Sequence, residues 1–200
     1  MNNKAQTYVF FGIVGSGKGT QVELLQKYLK ENNISDDILF ISPGNEYRKI
    51  IGSDTYTSRT IKERLEKGFL QPDFLTVGLL TNILISNIKE GTSIIADGFP
   101  RTVVQSKDFE SMMKFFNRSD IKIVYIELSK EEAIKRMKLR GRSDDTDLGI
   151  TNRFNEYINN VIPSMEYFNG KEGYTIYKIN GDQSIEDVHK DIINSIGLSL

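Results

Sequence analysis

The sequence predicts an α/β protein built on a five-stranded parallel sheet with helices on both faces. Two observations carry this expectation. Short runs rich in β-branched and aromatic residues recur along the 200 residues, and longer stretches with helical spacing of apolar residues lie between them. Parallel strands joined by crossover helices require that alternation. A hydrophobic content of 38% is sufficient for one compact core.

In chain order, Tyr8–Phe11 is the first strand and opens on a glycine cluster. Val22, Leu25 and Leu29 then mark one face of a helix, which packs on the sheet. Ile38–Ile41 is the second strand and Ser93–Ala96 the third. The interval of about fifty residues between them is too long for one crossover helix. Because it also holds Pro43-Gly44, Gly52, Gly68 and Pro72, we expect a small helical insertion over 42–71. Ile121–Leu128 is the fourth strand, followed by a helix over Lys130–Arg140. The stretch from Gly141 to Gly149 is polar and acidic with no helical period, and reads as a short loop before a helix over Ile150–Phe168. Tyr174–Ile179 completes the sheet, and Ile185, Val188, Ile192 and Ile196 line one face of the last helix. The expected organisation is a single domain with a core of 1–41, 72–140 and 148–200, the insertion 42–71 and a short lid loop at 141–147.

Several classes are excluded by charge and composition. The formal net charge is -1, so no global field draws the chain to nucleic acid or an anionic membrane. A nucleic-acid-binding ATPase would need a basic surface or a recognisable binding module, and neither is present. With no cysteine there is no disulfide, no thiolate nucleophile and no Cys-based zinc site, and the single His189 cannot build one. No run reaches the ~18 apolar residues of a membrane span. The expectation is a protein that is soluble and cytoplasmic.

The chemistry begins at Gly12-Ile13-Val14-Gly15-Ser16-Gly17-Lys18-Gly19-Thr20, which has the P-loop spacing G-x-x-x-x-G-K. Glycines let successive N–H groups turn inward, and the helix that starts near Lys18 adds its positive end, so Gly15, Ser16, Gly17, Gly19 and Thr20 make a cradle for an anionic polyphosphate. Lys18 reaches its terminal phosphates. A second anchor is Asp97, which ends the third strand at the edge where ligands bind in open α/β sheets. It is either a helix cap or a holder of Mg²⁺ through the metal's water shell; beside a P-loop the second reading is favoured.

These residues resemble a known family, the adenylate kinases and more broadly the nucleoside monophosphate kinases, all of P-loop NTPase fold. Gly12–Gln21 looks like the family's Gly-x-Pro-Gly-x-Gly-Lys-Gly-Thr-Gln, with Val14 where the pattern has proline, and Asp97–Thr102 is identical to its Asp-Gly-Phe-Pro-Arg-Thr element. The resemblance spans nearly the whole chain. It implies phosphoryl transfer from ATP, carried with Mg²⁺ and without zinc, to AMP, with nucleotides as partners, no nucleic acid or membrane, and a monomer. Arg136, Arg140 and Gln183 join the P-loop on the ATP side. On the AMP side stand Pro43, Arg48, Phe69, Leu70, Gln71, Gly98, Phe99, Arg101, Gln105, Arg142 and Arg153. Gln105, eight places after Asp97, matches the glutamine that reads adenine. Lys18, Arg101, Arg136, Arg142 and Arg153 are the implied catalytic set.

Arginine suits such a task because its fork pairs with phosphate oxygens two at a time and stays charged at working pH. Taken singly, Arg48, Arg136 and Arg140 also fit a solvated helix face. The chain departs from the family at Pro43-Gly44-Asn45, where Thr-Gly-Asp is usual, and proline has neither hydroxyl nor N–H. AMP is the favoured acceptor because an amide donates and accepts at once, as adenine's edge demands. CMP or UMP as acceptor, or a non-catalytic nucleotide-binding module, are the alternatives. The lid region between Arg140 and Arg142 is nearly absent, so closure there is expected to be a small movement.

Overall fold

All five apolar runs are strands in a computed structural model that describes residues 5–141 and 146–198. These are β1 (Thr7–Gly12), β2 (Ile38–Ile41), β3 (Ser93–Asp97), β4 (Ile121–Glu127) and β5 (Tyr174–Asn180). They form one parallel sheet in the order β2-β3-β1-β4-β5. Because β1 is central, the chain moves to one side of it for β2 and β3 and crosses it to reach β4. That reversal opens a crevice above the carboxyl ends of the strands, where ligands bind in such sheets. Phe10 lies level with Asp97 on one side and Val124 on the other, so the P-loop and the Asp97 turn leave the sheet side by side.

Strand alternation sends successive side chains to opposite faces. Val9, Phe11, Ile94 and Ala96 pack on one face against Leu80 and Leu84 of α4 (Asp73–Asn87) and Phe109 and Met113 of α5 (Val103–Phe115). Tyr8, Phe10, Ile95 and Val124 pack on the other against Val22, Leu25 and Leu29 of α1 (Lys18–Glu31), Val188 and Ile192 of α9 (Ile185–Ser195), and Ile196 just past the end of α9. A third, smaller cluster sets Ile13 of the glycine-rich loop against Ala133 and Met137 of α6 (Lys130–Arg140) and Ile150 and Phe154 of α7 (Asp147–Glu156). The loop is therefore backed by apolar contacts, which fixes its shape before any ligand arrives.

Between β2 and α4 run two further helices, α2 (Pro43–Ile50) and α3 (Tyr56–Glu66). Pro43 starts α2, where its missing N–H is harmless, and Thr55 caps α3 in a reciprocal capping box with Ser58.

Three expectations need correction. The stretch to Gly149 is not all loop: α7 begins at Asp147, with the Thr146 hydroxyl accepting the Gly149 N–H as its cap. The helix read as continuous over Ile150–Phe168 is interrupted by a π-helical turn at Tyr157–Val161, where the Ile162 N–H donates to the Tyr157 carbonyl, before α8 (Ile162–Glu166) resumes. Pro163 supplies the cause, since it has no N–H to give and its ring crowds the carbonyl four residues back. Ile185 is exposed rather than packed, being the first residue of α9, ahead of the buried Val188 and Ile192. Among the described residues no helix is long and apolar enough to cross a membrane.

Candidate active site

The glycine-rich turn between β1 and α1 meets α6 closely. Gly15 has φ +90°, and a Cβ there would stand 2.7 Å from the Ala133 carbonyl oxygen, so only glycine lets the loop pass. Five other helices, α3, α5, α6, α7 and α9, begin with a Ser or Thr hydroxyl accepting a backbone N–H. At α1 the capping position is Gly17, and no side chain caps it. The first amides of α1 are thus directed at the cleft without a side-chain acceptor, the arrangement that binds phosphate at a helix N-terminus.

Lys18 folds back over this turn, its Nζ donating to the carbonyls of Gly12 (2.6 Å) and Ile13 (2.9 Å) and to Ser16 Oγ (3.4 Å). Desolvation lowers its pKa to about 8; Asp97 opposes the shift, while Arg101 and Arg140 add to it. Ser16 itself is buried and serves the turn from within.

Above the strand ends lies a cleft of about 540 Å³. Among the described residues Lys18, Arg48, Arg101, Arg136, Arg140 and Arg153 line it, against three carboxylates, Glu23, Asp97 and Glu156. A chain of net charge -1 has thus set a local excess of positive charge around one cleft, which is the condition for holding polyphosphate without a basic surface. Arg101 is held at two points. Its Nε donates to the Gly98 carbonyl at 2.7 Å and its backbone N–H to Gln105 Oε1 at 2.9 Å. Desolvation pulls its pKa down, Asp97 and Tyr47 push it back, and Arg153 and Arg48 lower it further; as a guanidinium it stays charged throughout. Arg136 is steadied by Glu132 Oε1 at 2.9 Å and faces Asp182 at 3.9 Å.

A smaller pocket of about 40 Å³ continues from the cleft through Gly98, Arg101, Phe69 and Leu70, and is walled by Pro43, Tyr47, Gln71, Thr76 and Gln105. Gln105 is held at both ends, accepting from Arg101 and donating through Nε2 to Asp73 Oδ1 at 2.8 Å.

Most of the residues singled out in the sequence thus converge. Three of the described ones do not: Ser16 is buried inside the turn, Phe99 is in the core, edge-on to Phe109 at 5.9 Å, and Gln183 donates to Asn180 O and Asp191 Oδ2 instead of lining the cleft. Arg142 lies outside the described residues, as do Asp144 and Asp145. Sequence reasoning missed Tyr47, Thr76, Glu156 and Tyr157 as lining residues. Glu156 was within reach, being one helical turn beyond Arg153 on the same face. Its Oε1 lies 3.5 Å from the Leu70 N–H, so α7 touches the segment that carries the small pocket, as does Asn152 through the Lys67 carbonyl at 2.8 Å.

Comparison with known proteins agrees with this geometry. The family model for adenylate kinase matches residues 10–173. Proteins named adenylate kinase from Parabacteroides distasonis and Bacteroides fragilis are each 34% identical to this chain, over 94% of its length and 97% and 96% of theirs. One of the same name from Leptospira biflexa is 31% identical over 94% of this chain and 98% of its own. A P-loop backed by α6, a cleft rich in arginine and these matches along the chain have one meaning: the chain belongs to the adenylate kinase family.

Proposed function

We infer that this chain transfers the γ-phosphate of ATP to AMP, ATP + AMP = 2 ADP. One observation carries the reading: uncapped P-loop amides with Lys18 and the trio Arg48, Arg101 and Arg153 line a single cleft, a donor site and an acceptor site facing each other. In-line phosphoryl transfer needs little more than that, because the transition state is stabilised by position and charge. On this reading the P-loop amides of Gly15 to Thr20 and Lys18 hold the donor's phosphates, with Arg136 and Arg140 alongside. Arg48 and Arg101 grip the acceptor's phosphate, and Arg153, with Arg142 by the family resemblance, neutralises charge in transit. A bound polyphosphate takes over the Nζ hydrogens that Lys18 now gives to Gly12, Ile13 and Ser16.

Asp97 and the Thr20 hydroxyl both line the cleft and are hard oxygen donors. That set fits Mg²⁺, which keeps most of its water and shares the rest of its shell with substrate phosphates. Among the described residues no group of three His, Cys, Asp or Glu side chains could hold a metal alone, so the fit is to a metal that arrives with the nucleotide. When bound, Mg²⁺ offsets phosphate charge; Asp97 would orient it through water. A monomer working in a reducing cytoplasm is part of the same proposal.

A second reading, transfer to CMP or UMP, draws on Pro43, which has no hydroxyl for a base. The test is transfer from Mg·ATP to AMP, CMP, UMP and GMP in parallel, with an acceptor-free control for hydrolysis. Dominant turnover of AMP is expected. Preference for a pyrimidine would keep the mechanism and move the specificity, and no transfer to any acceptor would overturn the reading.

The lowered Lys18 pKa adds a pH signature. In the free enzyme the ammonium is lost as pH rises through about 8, so kcat/KM for ATP should fall there. Bound phosphate favours the charged form and raises the pKa again, so kcat at saturating Mg·ATP should hold to higher pH. Profiles of both between pH 6 and 10, taken in about half-unit steps, decide it; a kcat/KM that stays flat would show that the Lys18 charge is not used in binding.

A further inference from the structure

We propose that Asn152 is a positioning residue of the acceptor site: with Gly149 and Glu156 it makes one face of α7 a seat for the turn Lys67–Leu70, and so fixes that turn against the helix that carries Arg153. This rests on the functional reading above, in which Arg153 serves the phosphoryl group in transit, and goes beyond it.

The seat begins with how α3 ends. Gly68 takes φ +77°, its N–H donates to the Leu65 carbonyl and the Phe69 N–H to the Arg64 carbonyl, each at 3.0 Å, so the helix closes on a left-handed residue. That closure occupies the Arg64 and Leu65 carbonyls and leaves the Lys67 carbonyl with no N–H of α3 to accept. Asn152 Nδ2 supplies one at 2.8 Å, and since a carbonyl only accepts, the NH₂ end of the amide must face it. The turn is stiff in itself. Arg64 donates to the Leu70 carbonyl through Nη2 at 2.6 Å and Nε at 3.2 Å, which ties the turn back to α3.

Gly149, Asn152 and Glu156 follow one another at three- and four-residue spacing and share one face of α7. Each meets the turn at a different point. Gly68 and Gly149 are both buried, and a Cβ on Gly68 would run into the Gly149 carbonyl, so backbone passes against backbone there. Asn152 holds Lys67, and Glu156, itself held by Asn160 Nδ2 at 2.6 Å, faces the Leu70 N–H at 3.5 Å. A donor at one end of the turn and an acceptor at the other give it one register on the helix. Gly68, Phe69 and Leu70 line the cleft, and Arg153, which follows Asn152 directly, lines it too. Where the turn sits on α7 therefore sets how far the acceptor lies from Arg153, and in a reaction run by position a displacement of about 1 Å is felt in rate.

The test measures initial rates with AMP and Mg·ATP varied in turn. Asn152→Ala removes the donor and should lower kcat/KM for AMP about three- to tenfold, the effect of one hydrogen bond, with KM for ATP within about twofold of wild type and the thermal midpoint little changed. Gly68→Ala pushes the turn off the same seat, so adding Asn152→Ala to it should cost less than about twofold more. The Asn152→Ala comparison stands even if Gly68→Ala misfolds. An unchanged kcat/KM for AMP in Asn152→Ala, an equal rise in KM for ATP, or losses that multiply in the double variant would overturn the inference alone. A lower midpoint with the AMP kinetics intact would make the contact structural and overturn it as well. No transfer to AMP in the wild type would overturn the functional reading with it.

Discussion

Lys18→Ala is expected to lower kcat about 10³-fold while the chain stays folded. Among the described residues the side chain is the only lysine lining the cleft, and it is tethered to the oxygens of the turn that cradles the phosphates. Its removal leaves the amides at the start of α1 to hold the donor but takes away the mobile charge that follows the phosphoryl group. The fold should not suffer, because packing of the loop comes from Ile13 against Ala133 and Met137, not from Lys18. Stability even has reason to rise. The folded pKa, about 8, lies below the ordinary 10.5, so between those values the unfolded chain binds more protons and the stability contributed by this group increases with pH. Below pH 8 the lysine is charged in both states and the folded chain bears the full desolvation penalty. Lys18→Ala should therefore show an unchanged or slightly higher thermal midpoint at pH 7 and a flatter rise in stability from pH 8 to 10. Full turnover in this variant would refute the P-loop assignment. Lost turnover with a collapsed midpoint would instead move Lys18 from chemistry to structure.

That prediction depends on a loop that was readable from the sequence, and the reason is local. Glycines at fixed spacing and a strand on one side with a helix on the other are properties of a dozen consecutive residues, as is Asp97 closing β3. The central strands β1, β3 and β4 were legible because they are largely buried and so mainly apolar, and the edge strands β2 and β5, which are more exposed, because their β-branched and aromatic residues still form short runs. The helix Lys130–Arg140 has in the structure the bounds read from the sequence, and there the Ser129 hydroxyl caps its start. What failed was tertiary or lay inside an element. The π-helical turn follows from Pro163 acting inside a helix whose apolar period continued past it, and a proline in such a pattern was the available signal. Thr146 with Asp147 was a readable helix start, masked by Gly149. Phe99 sits in a motif shared with the family, but its ring is aimed at Phe109, and a motif does not state side-chain direction. The pairing of Gln105 with Asp73 and Arg101, and the bond from Asn152 to the Lys67 carbonyl, depend on α4 meeting the Asp97 turn and α3 meeting α7 in space. No reading of spacing reaches them.

For Arg101→Ala we expect kcat/KM for the acceptor to fall by about 10²–10³-fold with little change in stability. The case rests on how this arginine is held. Gly98, at φ +71°, turns the chain so that its carbonyl receives Arg101 Nε, and a Cβ at Gly98 would run into the guanidinium. Gln105 fixes the backbone N–H of the same residue, and Asp73 fixes Gln105 in turn, receiving the Thr102 hydroxyl as well at 2.9 Å. With Nε engaged, the two terminal nitrogens are left as a rigid fork beside Arg48 and Arg153. Such a fork binds a phosphate with little further ordering, which is where its advantage over a lysine lies. Arg101→Lys should accordingly recover only part of the loss, since one ammonium cannot both hold the Gly98 carbonyl and grip two phosphate oxygens. KM for ATP should move much less than KM for AMP in both variants, separating an acceptor-side role from general damage to the cleft. Full activity in Arg101→Lys would remove the argument from the fork and leave only charge; full activity in Arg101→Ala would take Arg101 out of the acceptor site and leave Arg48 and Arg153 to hold the phosphate.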